Sequence, residues 1–275
     1  MKKTKKFLIC VDSDGCVMNT MDMKHIRCFG PCLVAQWGME KWETDILELW
    51  NQINLYSITR GINRFLALKI ILIEIDRRFQ SIPGIREYCI WADQTSELSN
   101  RSLKKALENG EEQVCLSKAL SWSEAVNRAV NRMPDGDKLP FPGAKEALLN
   151  AKRYADIVVI SSANKEAVLN EWRRCGLDSC VDFIMTQEDG SKASCIGKLM
   201  ELGYKKEQIL MVGDTNGDMD AAKQNGVFYY PILRKKEKDS WVQFEKAVDA
   251  LIGGKYGGGY QKRKIQEFEE NLINQ

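Results

Sequence analysis

A chain of 275 residues with 44% hydrophobic and 28% charged residues has the composition of a globular protein with a large core, neither disordered nor fibrous. A net charge of +2 gives no electrostatic basis for a nucleic-acid or membrane partner, and the basic clusters Lys2–Lys6 and Arg234–Lys238 read as solvated ends. His25 is the only histidine, read here as a surface or capping group, so unless it serves alone, Ser-His-Asp, Cys-His and multi-histidine zinc chemistry are excluded.

In chain order, Phe7–Val11 is a run of five apolar residues and predicts a buried strand. It stops at two carboxylates, Asp12 and Asp14, followed at once by Gly15, which releases the backbone into a turn. Carboxylates at the carboxyl end of a parallel strand lie where open α/β sheets place their chemistry. A strand that merely ends in a polar Asx turn looks the same, and this stretch alone does not choose between them.

From about Thr20 to Lys138 the pattern is helical. Trp42–Leu55 carries an apolar stripe of Ile46, Leu47, Leu49, Trp50 and Ile53, and Asn63–Phe79 repeats it with Phe65, Leu66, Leu68, Ile71, Leu72 and Ile75. Further helical runs are expected near Ser99–Asn109 and Glu111–Met133. Trp37, Trp42, Trp50, Trp91 and Trp122 fall in this block and are expected to form the core of a helical bundle, with one or two available to line a pocket.

Beyond the turn-rich Leu139–Gly143 the grammar changes. Helix Ala144–Tyr154, strand Asp156–Ile160, helix Lys165–Cys175, strand Val181–Met185, helix Ser191–Leu202, strand Gln208–Val212, helix Met219–Asn225 and strand Val227–Ile232 are expected in turn. This alternation means βαβ units, hence an α/β fold with a doubly wound parallel, Rossmann-like sheet. A first strand without a crossover helix makes residues 20–138 an inserted helical domain, with residues 1–19 and 139–275 as the core. A helix near Trp241–Ile252, the glycine tract Gly253–Gly259 and a charged helix to Asn274 form an extension from about residue 236. The tract lacks the Lys-Ser/Thr of a phosphate loop and reads as a flexible hinge.

Nine cysteines, an odd number without framework or zinc spacing, suit a reducing cytoplasm. The Lys-rich start is not expected to be a signal peptide, because its apolar part is short and runs into Asp12. No stretch approaches the roughly 20 apolar residues of a membrane span.

Three expected parallel strands thus end in Asp12/Asp14, Ser161 and Asp214/Asp218, and Lys192 starts a helix between them. If these tips converge, the carboxylates make a hard oxygen site suited to Mg²⁺, and the hydroxyl and ammonium can hold phosphoryl oxygens. A carboxylate is then the best remaining nucleophile and acid/base. A calcium loop at Asp214–Asp220 is the non-enzymatic alternative, disfavoured because Met219 stands where the sharp-turn glycine belongs and Asn225 where the bidentate glutamate belongs. A catalytically silent binding protein on the same fold is a further alternative, which no residue recommends.

The segments V-D-S-D-G, V-V-I-S-S, G-S-K-A-S and M-V-G-D-T-N-G-D resemble, in order, the four motifs of the haloacid dehalogenase-like (HAD) hydrolase superfamily, over roughly residues 6–20 and 140–232. The helical block resembles the cap domain many members carry after the first motif. The resemblance implies Asp12 as nucleophile, Asp14 as acid/base, and Ser161 and Lys192 as phosphate-binding groups. It implies Mg²⁺ held by the side chains of Asp12 and Asp214 and the Asp14 carbonyl, with Asp218 a further ligand or a neighbour of one. Asp14 points to phosphoryl transfer rather than carbon–halogen cleavage, since dehalogenating members lack it. The implied activity is hydrolysis of a small phosphorylated metabolite, with phosphomutase or phosphonate-cleaving activity as alternatives. Lys192 is followed by Ala193 rather than the proline of many capped phosphatases, and Cys16 reads as packing, with oxidation sensing as the alternative. Thr59–Arg64 resembles a G-x-x-R substrate turn of some members, making Arg60, Asn63 and Arg64 candidate specificity residues; a capped helix start fits them equally.

Overall fold

The computed structural model describes residues 2–108 and 113–273. β1 (Phe7–Val11) is buried along its whole length, which its unbroken apolar run requires of a central parallel strand. The chain then enters a helical unit. α1 (Met21–Lys24) passes through a π-turn at His25–Phe29 into α2 (Gly30–Trp37), followed by α3 (Glu43–Asn54), α4 (Arg64–Arg78), α5 (Ile85–Gln94), α6 (Asn100–Glu108) and α7 (Val114–Arg132). Asp22–Pro134 forms one compact unit, and the residues up to Met21 together with those from Asp135 onward form another. Among the described residues no helix is long and apolar enough to cross a membrane.

The helical unit packs around Trp37, Trp50, Trp91 and Trp122, with Trp42 at its margin. Phe29, Trp50, Phe65 and Trp122 meet with ring centroids 5.8–6.4 Å apart, an aromatic centre that a surface role for these residues could not supply. The expectation for His25 is corrected here. Its Nδ1 accepts from Trp50 Nε1 at 3.2 Å and its ring stacks on Phe29 at 4.6 Å, so it extends the aromatic centre. The helical run Met21–Trp37 and α5 had no counterpart among the helices read from periodicity. Gly30–Pro31 and Pro83–Gly84 look like breaks, but Pro31 lies in the first turn of α2, where proline is tolerated, and Gly84 (φ 77°) simply starts α5. The expected helix ends at Asn109, Glu111 and Asn274 lie outside the described residues.

The second unit continues with α8 (Ala144–Ala151), β2 (Ala155–Ile160), α9 (Lys165–Arg174), β3 (Phe183–Met185), α10 (Lys192–Met200), β4 (Ile209–Gly213), α11 (Asn216–Asn225), β5 (Phe228–Pro231), α12 (Glu237–Ile252) and α13 (Gly259–Ile273). The sheet is wholly parallel with order β3-β2-β1-β4-β5, the doubly wound arrangement expected from the alternation. Strand alternation divides the core in two. Phe7, Ile9 and Val11 face one layer with residues of α8, α9 and α12, while Leu8 and Cys10 face the other with residues of α10, α11 and α13.

Two further expectations change. The tract Gly253–Gly259 is not a free hinge: Tyr256 within it is fully buried and donates its hydroxyl to Tyr229 O at 2.8 Å. The Arg234–Lys238 cluster is not simply a solvated end either, since Arg234 is buried and its carbonyl accepts from Asn271. Among the described residues no disulfide joins the cysteines.

Candidate active site

β1 lies between β2 and β4, with Val11 opposite Val159 and Val212, so Asp12, Ser161 and Asp214 all follow at the carboxyl edge. Asp12 N donates to Val212 O at 2.9 Å, extending the pairing by one residue. After Asp12 the chain folds tightly: Ser13 O accepts the N–H groups of Val17 (3.0 Å) and Met18 (2.8 Å), and Gly15 N donates to Met18 O. Gly15 has φ +84°, and a Cβ there would sit 2.5 Å from Asp214 Oδ2, so glycine is needed twice over, for the turn and for the neighbouring carboxylate. Two buried tryptophans fix this turn from below. Trp172 Nε1 donates to Ser13 Oγ at 2.8 Å and Trp241 Nε1 to Cys16 O at 3.0 Å.

On the next strand, Gly213 leaves no room for a side chain against the Asp218 carboxyl. α11 begins at Asn216 rather than at Met219, because Thr215 and Asp218 form a capping box. Thr215 Oγ1 and N donate to Asp218 Oδ2 at 2.7 and 3.1 Å, which aims the other oxygen of Asp218 outward. With Met219 already helical, the calcium-loop alternative loses its loop.

Asp12, Asp214 and Asp218 are all buried and offer carboxylate oxygens within 4.8 Å of one another, a group able to hold a metal ion. Lys192, in the first turn of α10, places Nζ 2.9 Å from Asp12 and 2.6 Å from Asp218. Burial opposes the Lys192 charge, yet Asp12 and Asp218 outweigh it and raise the ammonium above the ordinary lysine value. Burial also pushes the Asp12 carboxyl well above the usual carboxylate range; Asp218 and Asp214 push the same way, and Lys192 offsets only part. Three buried carboxylates thus share this corner with the Lys192 ammonium.

Asp14 is half-buried and its Oδ1 accepts from the hydroxyl of the buried Thr20. Ser161 is buried at the tip of β2, with its Oγ accepting from Ala163 N at 3.1 Å. Cys16 is fully buried beneath the cluster, and burial with the nearby carboxylates pushes its thiol up, away from a reactive thiolate. In the helical unit, Arg60 is buried and pairs with Asp22 at 3.1 Å. Asn63 is the N-cap of α4, accepting from Phe65 N, and Arg64 donates to Asn127 Oδ1 at 2.8 Å while lying over the Phe29 ring. Each of these three therefore has an anchoring role within that unit.

Thr20, Thr215, Trp172 and Trp241 escaped the sequence reading. The Thr-x-x-Asp spacing before a helix was a legible signal for Thr215. Nothing local marks the other three, because their partners are set by the tertiary fold.

A parallel sheet with a buried acidic centre across the tips of two neighbouring interior strands, β1 and β4, is the architecture of an α/β enzyme. The chain belongs to the family of haloacid dehalogenase-like hydrolases, which it matches over residues 79–231. That span contains Ser161, Lys192, Asp214 and Asp218, while Asp12 and Asp14 precede it. No curated protein sequence matches the chain significantly. Among solved structures it is similar to a protein provisionally described as a phosphoglycolate phosphatase from Lactobacillus delbrueckii subsp. bulgaricus, with TM-score 0.54 and 13% identity over 83% of this chain and 86% of that one. Also similar are a haloacid dehalogenase-like family hydrolase from Streptococcus pneumoniae (TM-score 0.49, 14% identity, 87% and 90% covered) and CbbY from Rhodobacter sphaeroides in complex with xylulose 1,5-bisphosphate (0.48, 16%, 83% and 87%).

Proposed function

We propose that this hydrolase is a Mg²⁺-dependent phosphatase that cleaves a small phosphorylated metabolite through an aspartyl-phosphate on Asp12. The observation that carries the reading is the buried trio Asp12, Asp214 and Asp218 with the Lys192 ammonium against two of them. Three buried carboxylates gathered this closely are hard oxygen donors that fit a divalent cation such as Mg²⁺. The side chains of Asp12 and Asp214 and the carbonyl of Asp14 would hold it, with Asp218 as a further ligand or the neighbour that orients Lys192. Bound there, the ion would polarise the phosphoryl oxygens and offset their charge.

The chain's own groups divide the remaining work. A carboxylate oxygen of Asp12 attacks phosphorus, forming the Asp12–phosphorus bond as the bond to the leaving oxygen breaks. Asp14 gives its proton to that leaving oxygen, and the Thr20 hydroxyl keeps the Asp14 carboxyl aimed. Asp14, now ionised, takes a proton from water as the water oxygen attacks phosphorus, the Asp12–phosphorus bond breaks, and inorganic phosphate leaves. Ser161 and Lys192 hold the phosphoryl oxygens through both steps. By the family resemblance the helical unit sets substrate choice, with Arg60, Asn63 and Arg64 as its candidate residues.

The test is a panel of small phosphomonoesters and sugar monophosphates, assayed with Mg²⁺, after EDTA, and after Mg²⁺ is restored. Release of inorganic phosphate that disappears with EDTA and returns with Mg²⁺ is expected. Isomerisation of a sugar phosphate without release would replace hydrolysis by mutase chemistry. Metal-independent release would overturn the Mg²⁺ assignment.

A further inference from the structure

β5 is an edge strand, so one side of its backbone has no strand to pair with. At Tyr229 the C-terminal segment supplies the missing partners. Tyr229 N donates to Gln261 Oε1 at 3.2 Å, and Tyr229 O accepts from the Tyr256 hydroxyl at 2.8 Å. The ring of Tyr229 meets the buried Phe268 edge-to-face, with centroids 5.6 Å apart. Three residues of the extension, Tyr256 before α13 and Gln261 and Phe268 on it, thus hold one tyrosine by its carbonyl, its N–H and its ring.

The far end of that tyrosine reaches the acidic site. Its hydroxyl donates to Gly213 O at 3.0 Å and lies 3.4 Å from Thr215 O, the carbonyls on either side of Asp214. The β4–α11 turn carries Asp214 and Asp218 on a backbone already closed by the Thr215–Asp218 capping box. The capping box fixes Asp218, whereas the Tyr229 hydroxyl spans Asp214 on its backbone. In a phenylalanine core the same ring would fill the same space, so the hydroxyl has a role that packing does not explain.

We propose that Tyr229 is a positioning residue for the Asp214 turn, and that the segment Tyr256–Phe268 holds it in place. The proposal rests on the reading of the acidic trio as a Mg²⁺ site. It gives the C-terminal extension a function in metal binding at a distance, acting through one buried side chain and not by touching the ion.

The test is calorimetric titration of the whole 275-residue chain, EDTA-stripped, with MgCl₂, beside thermal melts without metal. Tyr229→Phe removes one atom from a ring that stays packed; the expected result is a Mg²⁺ dissociation constant raised about tenfold, the usual scale for losing an outer support of a metal site. Phe268→Leu is expected to move it in the same direction, with kcat at saturating Mg²⁺ less affected than the Mg²⁺ requirement. A Tyr229→Phe constant within about twofold of wild type would overturn the proposal, whatever happens to the melting temperature. Wild-type protein that shows no Mg²⁺ binding would instead overturn the metal reading itself.

Discussion

Replacing Gly15 with alanine probes the closeness of the two acidic strand tips. At φ +84° an L side chain carries backbone strain of about 1–2 kcal/mol. The new methyl would also lie 2.5 Å from Asp214 Oδ2, 2.9 Å from Cγ and 3.0 Å from Oδ1. That carboxylate is enclosed by the cluster, so the overlap adds about 1–3 kcal/mol of overpacking. The expected loss is therefore about 2–5 kcal/mol, a large part of the stability of an ordinary domain. Gly203 supplies the control within the same unit: its φ is +93°, but a Cβ there meets nothing within 4 Å. Gly203→Ala should cost only the backbone strain, about 1–2 kcal/mol. Urea unfolding of both variants measures the difference, and Mg²⁺ titration reads whether Asp214 has moved. Equal losses for the two variants, with Mg²⁺ binding unchanged in Gly15→Ala, would refute the contact on which the site geometry depends.

Two other substitutions test the supports of the sheet. Buried Asp156 accepts from the N–H groups of Thr4 (2.8 Å) and Lys5 (2.9 Å) and from the hydroxyls of Thr4 and Tyr204. Burial pushes its carboxyl up, but these donors outweigh burial and hold it below the ordinary value. Its stabilisation is thus complete above the unfolded value of about pH 4 and is lost as pH falls through the lower folded value. Asp156→Asn should cost about 2–4 kcal/mol near neutrality, and denaturant unfolding should show the gap from wild type closing on acidification; a gap that widens in acid would contradict this. Trp172→Phe deletes the donor to Ser13 Oγ and leaves a small void beneath the Asp12 turn, a loss of about 2 kcal/mol by the same assay. A loss under about 0.5 kcal/mol would mean that the tryptophan does not hold the turn.

What could be read from residues alone was whatever local chemistry dictates. The apolar run Phe7–Val11 and its terminal carboxylates marked the central strand, and the βαβ alternation marked the sheet. Lys192 was legible as the first residue of a helix between two strands, where a long cation can reach both tips. The contacts that complete the site come from distant parts of the chain. Trp172 meets Ser13 across 159 positions and Trp241 meets Cys16 across 225, and no periodicity encodes either pairing. Thr20 reaches Asp14 only because the intervening turn folds back on Ser13 O. The glycine tract misled for a related reason: composition reports its freedom in isolation, whereas Tyr256 at its centre is held by burial and by the edge of β5. His25 misled likewise, since a lone polar residue on a helix gives no sign of the aromatic rings that stack on it.

The central claim is that Asp12 is the nucleophile of a Mg²⁺-dependent phosphatase. Turnover of p-nitrophenyl phosphate at saturating Mg²⁺ by Asp12→Asn tests it most directly, because the amide keeps the shape of the carboxyl and removes its nucleophilic oxygen. The account predicts a folded protein whose kcat falls by at least about a thousandfold. Turnover at the wild-type rate would contradict it.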